Sequence, residues 1–196
     1  MEEVYVFDMG KVIKQSFDKK KFYSLIDAKI GFDDFNEYFE IYNFITEIGE
    51  ITSDQFLEKV LKYSLSTKTI NETKSLYDAA SGDLYPDTVK IINSIKANNK
   101  KVYLFSNMKG IDFECFSKKI DINIFDDLFL SYKLGYRKSS LNIFKMMIDK
   151  IQVTPENIYF FDDLTINIEN AKSLGINAFQ VTGDTIMETW NKIKKF

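Results

Sequence analysis

Val4-Tyr5-Val6-Phe7-Asp8-Met9-Gly10-Lys11-Val12-Ile13 decides how the chain is read. Its first four residues have high strand propensity and no polar alternation, the pattern of a strand buried on both faces at the centre of a parallel sheet. Asp8 then falls at the carboxyl end of that strand, just before a glycine turn. In open α/β sheets ligands gather at that end, because the loops leaving the strands enclose a crevice there. Taken alone, Asp8 reads equally well as a cap for the next turn. The residues that end the later strands choose between the two readings.

Downstream the pattern changes at once to helical periodicity rich in aromatic residues, over positions 17–80. Phe22, Leu25, Ile26 and Ile30 mark one apolar face, and Phe35, Tyr38, Phe39, Tyr42 and Ile45 mark another. Thr52-Ser53-Asp54-Gln55 has the form of a capping box, opening a helix that buries Phe56, Leu57, Val60 and Leu61. A fourth helix carries Ile70, Tyr77 and Ala80 and ends near Gly82. No strand-like segment interrupts the region. Residues 15–82 therefore read as a helical bundle inserted into a domain made of residues 1–14 and 83–196.

From Asp83 onward helix and strand alternate, the signature of an α/β fold with a doubly wound parallel sheet. Pro86 suits a helix N-terminus, with Val89, Ile92 and Ile95 facing inward. A strand at 101–105 ends in Ser106-Asn107, and another at 128–131 precedes Lys133, Gly135, Arg137 and Lys138. Leu141, Phe144, Ile148 and Ile151 recur at helical spacing. The strand at 157–161 ends in Asp162-Asp163. The helix after it buries Leu164, Ile168 and Ala171 and stops at Gly175, before a last strand at 178–181 and a helix carrying Ile186, Trp190 and Ile193.

At 196 residues the chain suffices for one substantial core with a smaller unit inserted in it. Its 45% apolar and 28% charged contents are those of a globular protein, and a net charge of -3 offers no basic field for nucleic acid. No apolar run approaches the ~20 residues of a membrane span, and Met1-Glu2-Glu3 is acidic where a secretory leader would be basic. A cytoplasmic protein without a membrane partner is expected. Cys115, the single cysteine, excludes an internal disulfide and fits a reducing compartment. The absence of histidine removes imidazole bases, Ser-His-Asp and Cys-His pairs, and histidine-zinc sites. Carboxylates, amines, hydroxyls and backbone groups are left, a donor set that favours a hard cation such as Mg²⁺ where a metal is bound.

Four strand ends thus present Asp8, Ser106-Asn107, Arg137-Lys138 and Asp162-Asp163, and such ends converge in a parallel sheet. Each alone has an ordinary reading as a cap, a turn or a solvated loop. In this order, with these strands between them, they resemble the four motifs of the haloacid dehalogenase (HAD) superfamily of phosphatases: Phe7-Asp8-Met9-Gly10, Leu104-Phe105-Ser106-Asn107, Arg137-Lys138 and Phe160-Phe161-Asp162-Asp163. The inserted bundle stands where that superfamily carries an α-helical cap on its Rossmann-like core. Segments 130–138 and 162–167 are most similar to bacterial sugar-phosphate phosphatases, including those acting on glucose 1-phosphate.

The resemblance implies a phosphoric monoester hydrolase acting on a small phosphorylated metabolite. Asp8 would attack phosphorus and form an aspartyl-phosphate that water then hydrolyses. Mg²⁺ would be held by the Asp8 carboxylate, the Gly10 carbonyl and Asp162, with Asp163 acting directly or through water, and the carboxylates would repel one another without it. The Met9 and Gly10 N–H groups, the Ser106 hydroxyl and Asn107 would bind phosphoryl oxygens, and Lys138 would neutralise them. Asn167, four residues past Asp163, would orient the acidic loop. Lys133 and Arg137 are second candidates for the cationic role and otherwise surface charges. Phe17, Tyr42 and Phe44 are candidates for the pocket under the cap.

Two positions depart from the superfamily's pattern. Gly10 stands where most members carry a second aspartate that protonates the leaving group, a contribution of ~10²- to 10⁴-fold in rate. The sugar-phosphate phosphatases resemble this chain in having glycine there. The change argues against a phosphomutase and, taken alone, predicts a preference for good leaving groups, such as anomeric or aryl phosphates. Ser139 replaces the usual proline after Lys138 and can still open a helix as its N-cap. Two readings compete with the phosphatase. One is a HAD-fold binding or regulatory protein, catalytically impaired by Gly10. The other is a metal-free dehalogenase, which Asp162-Asp163 disfavours because unneutralised carboxylates oppose an anionic substrate. No residue pattern speaks for a particular oligomeric state.

Overall fold

The computed structural model describes residues 2–193; Met1 and residues 194–196, at the two ends of the expected core, lie outside the described residues. After β1 (Val4–Phe7) come α1 (Lys19–Leu25), α2 (Phe32–Glu47), α3 (Ser53–Tyr63), α4 (Ile70–Ala80) and α5 (Pro86–Ala97). There follow β2 (Lys101–Ser106), α6 (Gly110–Ser117), β3 (Asp127–Leu130), α7 (Ser131–Leu134) and α8 (Leu141–Ile151). The described chain ends with β4 (Ile158–Asp162), α9 (Thr165–Ser173), β5 (Asn177–Gln180) and α10 (Ile186–Ile193). The five strands form one parallel sheet in the order β3-β2-β1-β4-β5.

Central placement explains the unbroken apolar run of β1. Val4 and Val6 pack with Ile143, Phe144 and Met147 of α8 and Ile168 of α9. Tyr5 and Phe7 point the other way, into a cluster with Ile91, Ile92 and Ile95 of α5, Phe116 and Trp190. Successive side chains alternate, but helices cover both faces, so neither face selects for polarity. Each large side chain buried in this way contributes on the order of 1.5–3 kcal/mol. Phe7 and Phe161 also stack across the strands, with ring centres 4.7 Å apart.

The inserted helices have a cluster of their own, built around Phe22, Phe35, Phe39, Phe56 and Tyr77. Reciprocal caps open two of them: Thr52 with Gln55 at α3, and Thr69 with Glu72 at α4. Ile111 and Cys115 of α6 complete this cluster while Phe116 of the same helix joins the sheet cluster, so α6 packs into both. The chain enters and leaves the insert along paired segments, Gln15 N–H donating to Asp83 O and Tyr85 N–H to Ile13 O, both at 2.8 Å. At Gly82 a Cβ would stand 2.6 Å from the Gln15 carbonyl oxygen, so only glycine permits this approach.

Some expected helix faces are rotated. Thr88 is buried in place of Val89 because its Oγ1 donates to the Val12 carbonyl at 2.7 Å, tying α5 to the turn after β1. Leu164 is 43% exposed: it precedes α9 in extended conformation, out of phase with Ile168. Leu141, the first residue of α8, is exposed too; Phe144 is buried as its spacing foretells, and Ile143 and Met147 are buried with it. Among the described residues no helix is long and apolar enough to cross a membrane.

Candidate active site

Strand register brings the first two acidic residues together. Phe7 pairs with Leu104 of β2 and Phe161 of β4, and the Asp8 N–H still donates to Phe161 O at 2.9 Å. Asp8 and Asp162 are thus neighbours at the point where chain connections part to the two sides of the sheet, the place where α/β proteins form a binding crevice.

Lys138 reaches this point from the loop after α7. Its Nζ donates to Asp8 Oδ1 at 2.6 Å, to Asp162 Oδ2 at 2.5 Å and to Phe105 O at 3.0 Å, matching the three donors of an ammonium. The backbone is held as well: Lys138 N–H donates to Asn107 Oδ1 at 2.8 Å, and Asn170 Nδ2 donates to Lys138 O at 3.0 Å. Burial would lower the lysine's pKa, but Asp162 and Asp8 outweigh it and hold the group above its ordinary value. Burial pushes the Asp8 carboxyl up to about 7 against the pull of Lys138, with Asp162 and Asp163 adding to the rise.

Asp162 is wholly buried and accepts from Asn167 Nδ2 at 2.9 and 3.0 Å and from Leu164 N–H at 2.8 Å. Asn167 therefore holds Asp162 and makes no hydrogen bond to Asp163. Asp163 pairs with Lys11 Nζ at 3.2 Å, and its carbonyl accepts from Gln180 at 3.1 Å. Carboxylate oxygens of Asp8, Asp162 and Asp163 lie within 4.8 Å of one another. The turn after Asp8 closes on the Met9 carbonyl, which accepts from Ile13 and Lys14 N–H at 3.0 and 2.9 Å. Among the described residues the Gly10 carbonyl and the Met9 and Gly10 N–H groups stay out of that network. Three carboxylates and an unengaged carbonyl are all hard oxygen donors and fit Mg²⁺.

Above these groups lies a crevice of about 390 Å³. Asp8, Gly10, Lys11, Asn107, Lys138 and Asp163 make its floor, and Phe17, Asn43, Glu47 and Arg137 stand around it. Ser106 is not among the lining residues; its buried hydroxyl makes a long contact to Asn107 O at 3.4 Å. Of the three aromatic candidates only Phe17 lines the crevice. Tyr42 lies against Tyr38 with ring centres 4.6 Å apart, and Phe44 is largely exposed, with the Arg137 guanidinium 5.1 Å from its ring. Lys133 is exposed and lies over the Phe113 and Tyr132 rings.

Asn43, Glu47 and Lys109 escaped the reading of the sequence. The stripe of Phe35 and Phe39 on α2 is continued at four-residue spacing by Asn43 and Glu47, and polar residues prolonging an apolar stripe were the signal available. Asn43 Nδ2 donates to Glu47 Oε1 at 3.0 Å, and Lys109 Nζ donates to Asn43 Oδ1 and pairs with Asp112 Oδ2 at 3.0 Å. Arg137, expected at the surface, is half-buried, with its Nε 2.9 Å from Glu47 Oε2.

Residues 6–175 match the family described as haloacid dehalogenase-like hydrolase. The chain is 28% identical to the D-ribitol-5-phosphate phosphatase of Bacteroides thetaiotaomicron over 188 residues, 89% of each protein. It is 32% identical to drimenol cyclase of Aspergillus calidoustus over 139 residues, which are 67% of this chain but only 26% of that protein. A crystal structure of a HAD family enzyme from Bacteroides thetaiotaomicron, in complex with magnesium and inorganic phosphate, superposes with a TM-score of 0.81. It covers 93% of this chain and 96% of that one at 21% identity, a likeness of fold.

Proposed function

Because the chain belongs to the haloacid dehalogenase-like hydrolase family, we propose that it hydrolyses the phosphate monoester of a small metabolite, a sugar or polyol phosphate, through an aspartyl-phosphate on Asp8. The observation that carries this reading is the Lys138 ammonium seated between Asp8 and Asp162, beside a turn whose Met9 and Gly10 N–H groups are unengaged. Lys138 holds one Asp8 oxygen and leaves the other to attack phosphorus. The Met9 and Gly10 N–H groups and Asn107 would receive phosphoryl oxygens, and the buried ammonium would offset their charge where water screens little. Bound by Asp8, the Gly10 carbonyl, Asp162 and Asp163, Mg²⁺ would supply the remaining positive charge. Ser106, away from the crevice lining, would act through Asn107.

Residues 15–82 would serve as the cap, placing Phe17, Asn43 and Glu47 over the floor and excluding water from the ester. The polar walls, together with the match along 89% of a ribitol-phosphate phosphatase, support a hydroxylated leaving group. The low net charge and one buried cysteine fit a cytoplasmic enzyme with no nucleic-acid partner. A binding protein without catalysis gains nothing from this buried triad, since apolar groups in its place are commonly as stable or more so.

The test is hydrolysis of p-nitrophenyl phosphate with Mg²⁺, with EDTA, and by Asp8→Asn. Activity only in the first supports the proposal, and three rates equal to the blank support the binding protein. A screen of sugar, polyol and nucleotide phosphates then identifies the substrate.

A further inference from the structure

An alkyl phosphate expels an alkoxide, which leaves slowly unless something protonates it. On the floor of this crevice the titratable side chains are already engaged, Lys11 and Asp163 with each other at 3.2 Å. Lys138 is committed to three oxygens, Asp8 is the attacking group of the proposed reaction, and Asp162 accepts from Lys138, Asn167 and Leu164. Position 10 is empty: a Cβ built there meets only Asp8 Oδ2, at 3.7 Å.

The roof offers a carboxyl. Glu47, near the end of α2, lines the crevice together with Asp8 and Gly10 and is 8% exposed. Its Oε1 accepts from Asn43. Its Oε2 is buried, and although Arg137 Nε stands 2.9 Å away, the two are not aligned as a hydrogen bond and both atoms lack a partner. The two form an ion pair without the directed hydrogen bond that buried charges normally make, and such atoms are rare unless a ligand or a function completes them. The groups facing Glu47 are Asn43 on its own helix, Lys109 and Asp112 on α6, and Arg137 on the loop before α8. Burial raises its carboxyl above the ordinary range against the pull of Lys109 and Arg137, the direction that favours a proton donor.

We propose that Glu47 is the general acid and base of this enzyme, supplied from the inserted helices in place of a group at position 10. This rests on the phosphatase reading of the same site. In the first step an Asp8 oxygen bonds to phosphorus, the bond from phosphorus to the ester oxygen breaks, and the Glu47 carboxylic acid gives its proton to that oxygen, releasing an alcohol. In the second step the Glu47 carboxylate takes a proton from water as the water oxygen attacks phosphorus. The bond between phosphorus and Asp8 then breaks, giving inorganic phosphate, the Asp8 carboxylate and protonated Glu47. The bias toward anomeric and aryl esters expected from Gly10 alone is thereby lifted, and plain alkyl phosphates become substrates.

Wild type, Asp8→Asn and Glu47→Gln are compared on p-nitrophenyl phosphate, whose leaving group needs no proton, and on ribitol 5-phosphate, whose leaving group does. Glu47→Gln, close in shape to the native residue, is expected to lose about 10²-fold or more in kcat on ribitol 5-phosphate. On p-nitrophenyl phosphate it is expected to give a burst of nitrophenolate equal to the enzyme present, then slow turnover, with a phosphoryl adduct on the quenched protein. A merely structural role for Glu47 would lower both esters equally, without a burst, and that result overturns the proposal. So does unchanged turnover of ribitol 5-phosphate by Glu47→Gln while Asp8→Asn is inactive, and in that case the phosphatase reading stands. If wild type hydrolyses neither ester and matches Asp8→Asn, both fall together.

Discussion

On the floor of the crevice Lys138 meets three oxygens within 3.0 Å, and Asp162 accepts from a lysine, an asparagine and a backbone N–H. On its roof Glu47 and Arg137 approach to 2.9 Å with neither atom in an aligned hydrogen bond. Both regions bury charge, but the floor's Asp8 and Asp162 stand on strand ends locked by the parallel register, with Lys138 reaching them from a loop, whereas the roof hangs from a helix and a loop. A floor whose acidic and basic side chains bond to one another would hold a reacting phosphorus in a fixed place. A roof with unspent partners has hydrogen bonds left for the part of the ester that departs. Groups that must be rigid are over-bonded here, and groups that must meet a ligand are not.

The largest effect expected from that contrast is at Asp8, where Asp8→Asn should reduce phosphate-ester turnover by ~10⁴-fold or more because the attacking atom is lost. Steady-state kinetics on p-nitrophenyl phosphate measures it. Next comes Lys138→Met. It leaves Asp8 and Asp162 buried without their cation, so the metal-free protein should lose about 3–5 kcal/mol in chemical denaturation, and Mg²⁺ should restore part of the loss. If Lys138→Met melts like wild type, the floor is not held by charge.

Gly82→Ala tests the entry to the roof. The added methyl would meet Gln15 backbone at 2.6 Å, and a loss of about 1–3 kcal/mol is expected in denaturant titrations. Another effect concerns pH. Burial raises the Asp8 carboxyl to about 7, whereas in the unfolded chain it titrates near ~4. Between those values the folded state binds the extra proton, so the metal-free protein gives up this stability as pH rises from about 4 to about 7. Mg²⁺ requires the ionised form, so the rise in Tm that it produces should be greater at about pH 8.5 than at about pH 5.5. The smallest effect belongs to Lys133→Ala: exposed and away from the crevice, it should change stability by no more than about 0.5 kcal/mol and leave kcat unaltered.

Floor and roof also differ in how far the chain alone reveals them. Asp8, Asp162 and Lys138 each follow an apolar run or a recognisable motif, and parallel strands oblige the residues at their ends to converge. Glu47 had no such marker. It lies in a polar-looking stretch at the end of an aromatic helix, and what makes it unusual is burial against Arg137 and Lys109, which are distant in sequence. Thr88 and Leu164 show the same divide, since helical periodicity foretells a face but not the hydrogen bond at Val12 O or at Asp162 that rotates it.

What the amino-acid order determined by itself is therefore the parallel sheet and the run of helices after its first strand, because alternation, helical period and capping are short-range properties carried by neighbouring residues. Tertiary packing alone decided which helix face roofs the crevice, that Ser106 stands behind Asn107, and that Arg137 turns inward to Glu47. Those outcomes depend on which surfaces desolvate one another when separate elements dock, and no local pattern encodes that free energy.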